Sequence, residues 1–218
     1  MKKIPVYLMP GLSAGKKIFT YLKLPDIYEI HYMHWLIPYK NESLQDYSRR
    51  LATQITDENP ILLGVSFGGI IIQEIAKQIP VKQLIIVSSI KHHSELKPFY
   101  KWAYKTKLYK LVPVPIIRKR HWLQKLFLPK PIKKKLRLYE RFLEIDDTYY
   151  IRWSFHQVLS WRQTRIPENF VHIVGENDTV FPPKYINDPK IVVPRGRHEM
   201  MVYEVKWFNR HLPQLLAK

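Results

Sequence analysis

The stretch LLGVSFGGII, residues 62–71, sets one serine among apolar residues and crowds three of the chain's seven glycines, Gly64, Gly68 and Gly69, around it. A buried strand gains nothing from a hydroxyl, and glycines cost backbone entropy while packing nothing. A crowded, sharply turned backbone at Ser66 would account for both. Residues 60–65 read as a strand. The following FGGIIIQEIAKQI is apolar nearly all round at its start, which reads as a helix buried against a sheet and ended by Pro80. A serine at such a junction, in Gly64-Val65-Ser66-Phe67-Gly68, has the G-x-S-x-G pattern in which a tight turn exposes a nucleophilic hydroxyl. The same pentapeptide also suits an N-capping turn or a phosphate loop at a helix N-terminus, so the choice rests on the rest of the chain.

Working outward from Ser66, short apolar runs at 4–9, 28–33, 83–88, 170–174 and 190–193 join 60–65 as expected strands. Helical patterns alternate with them, the sequence form of a parallel sheet with helices on both faces. Leu44, Tyr47, Leu51 and Ile55 recur at helical spacing behind Ser43 and Asp46, which resemble a capping box. A closing helix carries Met201, Val205, Phe208 and Leu212 on one face, with Pro213 limiting it near its end. Residues 91–165 show no clear strand. They carry a helical stripe, Ile132, Leu136, Tyr139 and Leu143, broken by prolines 98, 113, 115, 129 and 131. The division expected is a core of 1–90 and 166–218, interrupted by a basic helical cap at 91–165.

The 218 residues suffice for one domain with such an insertion. No apolar run approaches the roughly 18 residues needed to cross a bilayer. MKKIPVYLMPG holds Pro5 and Pro10 and leads to no small-residue cleavage site, so it reads as a first strand, and the location expected is cytoplasmic. The absence of cysteine excludes disulfides, thiolate metal sites and a cysteine nucleophile. The net charge of +18 is concentrated: residues 91–140 hold 15 lysines and arginines against two acids, Glu95 and Glu140. Such a face suits plain solvation, an anionic membrane surface or an anionic substrate. No base-reading module is recognisable, and nucleic acid is not an expected partner.

A serine hydroxyl is a weak nucleophile at neutral pH and needs a base, which in turn needs an orienting acid. After the strand FVHIV come Glu176 and Asp178, and after KIVV comes Arg195-Gly196-Arg197-His198. Asp178, then, would accept a hydrogen bond from one ring nitrogen of His198 while the other takes the proton of Ser66, with Glu176 the rival carboxylate. The remaining histidines show no metal spacing, and no metal or cofactor is expected. GLSAGKK is one residue short between its glycines for a phosphate-binding P-loop and has Lys17 where a Ser or Thr should stand.

Four ordered segments, VYLMPGLSAG, ILLGVSFGG, VHIVGENDTVFP and PRGRHEMM, resemble the α/β-hydrolase superfamily over nearly all of the chain except the cap. The resemblance implies a reduced, mostly parallel sheet of about six strands in the order 2-1-3-4-5-6, with Ser66 at the switch point. It also implies an oxyanion hole formed by the backbone N–H groups of Phe67 and of Leu12 in the loop after the first strand, with Ser13 the neighbouring choice. Many relatives have His-Gly where this chain has Pro10-Gly11, a departure that leaves the backbone donors in place. Trp35 and Trp153 are candidate pocket residues. The function implied is a serine hydrolase acting on a small-molecule acyl ester or thioester; acyl transfer to another acceptor, or ligand binding without turnover, would use the same fold.

Overall fold

Hydrophobic alternation along each strand decides how the sheet is covered. The computed structural model describes residues 3–111, 140–163 and 169–217. Six strands, β1 (Ile4–Met9), β2 (Tyr28–Tyr32), β3 (Ile61–Val65), β4 (Gln83–Val87), β5 (Phe170–Gly175) and β6 (Ile191–Val193), form one sheet in the order β2-β1-β3-β4-β5-β6. Every neighbouring pair is parallel. On β1, Tyr7 and Met9 face one side and Val6 and Leu8 the other, the period-2 alternation of a sheet buried on both faces.

The Tyr7 face is covered by α1 (Leu44–Ala52), α2 (Phe67–Ile75) and α4 (Thr148–Ser160), which bring Tyr47, Leu51, Ile71 and Tyr150 into one core. The Val6 face is covered by α5 (Met200–Tyr203) and α6 (Val205–Leu216), through Met200, Met201, Phe208 and Leu212. Ser43 caps α1 as its sequence suggests: its Oγ accepts from the Asp46 N–H at 3.1 Å. All nine residues of α2 are buried, Gln73 and Glu74 included. Their polar atoms are satisfied internally, Gln73 donating to the Gly69 and Ile90 carbonyls and Glu74 accepting from the Trp161 indole.

The structure shifts some expected boundaries. α2 stops at Ile75, because the Gln78 N–H turns back to the Ile75 carbonyl at 2.8 Å and tightens the chain into turns well before Pro80. The closing helix is two helices, interrupted at Glu204. Pro213 does not end it: α6 runs on to Leu216, held by burial of Leu212 and Leu216 and by the Gln83 side chain donating to the Leu215 carbonyl at 2.8 Å. Between β4 and β5, α3 (Pro98–Lys105) and α4 are helical, and α3 meets α4 where Tyr104 packs against His156. Prolines 113, 115, 129 and 131 and the stripe positions Ile132, Leu136 and Tyr139 lie outside the described residues.

Candidate active site

All the site loops leave the carboxyl ends of strands, where a parallel sheet with a topological switch opens its crevice. Ser66 follows β3 and sits at φ 54°, ψ −120°. A non-glycine residue there costs about 1–3 kcal/mol and persists only where its surroundings over-determine it. They do: the Ser66 N–H donates to the Val87 carbonyl at 2.8 Å, and the Ser66 carbonyl accepts from Ser89 Oγ at 2.7 Å and the Gly69 N–H at 2.9 Å. The neighbouring glycines supply space rather than unusual torsions, since no glycine has positive φ. A Cβ on Gly64 would lie 2.4 Å from the Gly68 oxygen, and one on Gly68 would lie 2.3 Å from the Pro10 oxygen. The first turn of α2 is thus pressed onto the ends of both β3 and β1, and Ser66 projects from the pinch.

The acid and histidine loops are joined in the same manner. A Cβ on Gly175 would lie 2.5 Å from the Gly196 oxygen, an oxygen that also accepts from the Asn177 N–H at 2.7 Å. This contact brings Asp178 Oδ2 to 2.9 Å from His198 Nδ1, and places His198 Nε2 3.0 Å from Ser66 Oγ. Asp178 is buried, and its other oxygen accepts from the Val180 and Phe181 N–H groups at 2.7 and 2.9 Å. A carboxylate so fixed needs the proton on Nδ1, which leaves the Nε2 lone pair facing the serine hydroxyl. Phe181 meets the imidazole edge to face at 5.6 Å. Glu176 is turned elsewhere: it is exposed and accepts from the Arg195 N–H at 2.7 Å, shaping the turn before the histidine.

The loop after β1 offers the donors. The Ser13 N–H is taken by Tyr150 Oη at 3.2 Å, while among the described residues neither the Leu12 nor the Phe67 backbone N–H has a hydrogen-bond partner. That division separates Leu12 from Ser13, which the sequence left open. Trp35 and Trp153 are buried beneath this region. The Trp35 indole N–H donates to the Gly11 and Ala14 carbonyls, and its ring stacks on Phe67 at 5.3 Å and 6°. The Trp153 indole N–H donates to the Glu42 carbonyl, and its ring meets Phe67 edge to face at 6.2 Å. Both rings back the Phe67 side chain.

Sequence reasoning did not find Tyr150. Its contact with Ser13 spans 137 positions, and burial drives its phenol well above the ordinary value, so it stays a neutral hydroxyl. The segment before α4 adds to its hold on the loop: the Ser13 carbonyl accepts from the Glu144 N–H at 2.8 Å, and the Gly15 N–H donates to the Phe142 carbonyl at 2.8 Å. No signal in the residues near Leu12 points to any of these partners. Chemically, the arrangement sets a hydroxyl against a base with a fixed tautomer, and leaves two backbone N–H groups, one beside Ser66 and one in the loop after β1, unengaged among the described residues.

No family model matches the chain, and no curated protein does. Solved structures do. An esterase from Thermogutta terrifontis superposes with a TM-score of 0.69 at 13% identity, over 99% of this chain and 90% of that one. A bromoperoxidase from Bacillus anthracis gives 0.66 at 14% identity, over 100% and 93%. An alpha/beta hydrolase fold protein from Burkholderia ambifaria gives 0.65 at 15% identity, over 98% and 91%.

Proposed function

We propose that this chain, which has the α/β-hydrolase fold, is a serine hydrolase that cleaves a carboxylic ester or thioester through an acyl-enzyme. The observation that carries the reading is the continuous hydrogen-bonded line from buried Asp178 through His198 to Ser66 Oγ, at 2.9 and 3.0 Å. Ser66 Oγ attacks the acyl carbon as His198 Nε2 takes the hydroxyl proton, and Asp178 holds the resulting imidazolium in place without itself becoming protonated. Negative charge gathers on the former carbonyl oxygen, where the Leu12 and Phe67 N–H groups donate to it. Collapse breaks the carbon–oxygen or carbon–sulfur bond, and His198 returns its proton to the leaving alcohol or thiol. Water then repeats the sequence on the acyl-serine, losing a proton to His198 and releasing the acid and free Ser66.

The strained serine, the fixed histidine tautomer and the two unengaged donors all support this reading, because each has a use in acyl transfer and none in a simple capping turn. A fluorophosphonate probe should label the purified protein at Ser66, located by peptide mass, and Ser66→Ala should abolish the label. Labelling that persists in the alanine variant overturns the assignment. A panel of acyl esters and thioesters of graded chain length then identifies the preferred substrate.

A further inference from the structure

The helix α3 presents a solvent face that the proposed chemistry does not use. Phe99 and Trp102, one helical turn apart, are 64% and 52% exposed with ring centroids 5.9 Å apart, and Leu111 farther along is 74% exposed. Packing elsewhere on the helix fixes this orientation. Ala103 is buried, and Tyr104 packs on Tyr109 and on His156 of α4, at 5.8 and 5.9 Å. Along the same stretch Lys105, Lys107 and Lys110 are exposed, while the Lys101 ammonium donates to the Ser94 carbonyl, and residues 97–111 contain no acidic residue.

We propose that this face docks on an anionic lipid surface, Phe99, Trp102 and Leu111 entering the headgroup boundary while the lysines bind lipid phosphates. Large aromatic side chains kept in water beside unopposed lysines are the composition of an interfacial segment, where apolar burial and electrostatic attraction add. Lysine suits such a boundary because its methylenes can lie along apolar matter while the ammonium stays with the headgroups. A protein partner of ordinary interface composition would favour arginine over lysine. The N-terminal end of α3 also adjoins the candidate active site. The Lys97 ammonium donates to the carbonyl of Thr179, next to Asp178, and Lys97 and Lys184 edge an open groove of about 420 Å3 that runs past Asp178.

Co-sedimentation with vesicles tests the proposal on the intact protein. Vesicles of about one third phosphatidylglycerol should bind roughly tenfold more tightly at low salt than pure phosphatidylcholine, and added salt should weaken that binding. The double variant Phe99→Ala, Trp102→Ala, whose side chains are exposed and leave the core intact, should lose about tenfold of the affinity. Brominated lipid should quench tryptophan fluorescence more in the wild type than in Trp102→Phe, and equal quenching in both overturns the placement of Trp102. Ser66→Ala should bind as the wild type does, so that docking and hydrolysis fail separately. Equal partitioning to both vesicle types at low salt overturns the proposal. So does binding unchanged in the double variant, which would reassign the lysines to an acidic protein or soluble polyanion.

Discussion

Asp178 and Glu176 stand two residues apart in one loop, and only their partners distinguish them. Asp178 is buried with both oxygens engaged, one by His198 and the other by the Val180 and Phe181 N–H groups. Asp178→Asn should keep the fold and favour the wrong imidazole tautomer, lowering kcat by about four orders of magnitude in ester hydrolysis. Glu176→Gln should leave kcat within about twofold, because its contact with the Arg195 N–H shapes a turn without touching the imidazole. A near-normal rate for Asp178→Asn would remove it from the proposed mechanism. That Ser66, Asp178 and His198 come together was legible because each lies in a local pattern of strand, glycine and turn. Which of the Leu12 and Ser13 N–H groups is left unengaged was not, since the hydroxyl that occupies the Ser13 N–H belongs to Tyr150, on a helix far along the chain.

Two segments meet at that contact. α4 and the residues before it grip the loop after β1 through Tyr150 Oη and through the Glu144 and Phe142 backbone. Tyr150→Phe leaves a buried N–H at Ser13 without its acceptor, which should cost about 1–3 kcal/mol of stability, read as a lower urea midpoint. It should also lower kcat more than it raises KM, because the loop it releases supplies a donor proposed to act on the oxyanion rather than on the bound ester. An unchanged kcat would make the contact purely structural. At this scale the strands were legible to within about a residue, since apolar runs bounded by glycine and proline leave few alternatives. Helix ends were less so. Pro80 and Pro213 are strong breakers locally, yet α2 ends before the first and α6 passes through the second. Burial of Leu216 and the Gln83 hydrogen bond hold the last turn of α6, and both are tertiary.

For the molecule as a whole, the sheet order could be expected in advance because four ordered segments of the chain resemble the α/β-hydrolase fold, whereas its buried polar groups could not. His172 on β5 is one of these: it is nearly inaccessible, and Nε2 lies 3.0 Å from the Ser89 carbonyl, to which it donates. Burial, with the Lys91 ammonium nearby, pushes its imidazole down from 6.5 to about 3. His93 is pushed down to about 4, by burial and then by Arg162. The unfolded chain therefore binds protons between pH about 6.5 and about 3 that the folded chain refuses, so stability present above pH about 6.5 declines as pH falls through this window. Urea midpoints measured from pH 7 to 4 should fall, and His172→Gln should flatten the decline; an identical slope in the variant would place the effect elsewhere. The sheet order has a further consequence during synthesis. β2, β1, β3 and β4 lie side by side and are complete once residue 87 has been made, but the neighbour of β4 is β5, which begins at Phe170. At about 5–20 residues per second, a ribosome leaves the apolar edge of β4 unpaired for several seconds to about a quarter of a minute. A nascent chain therefore carries Ser66 on a part-built sheet whose β4 border still waits for its partner strand.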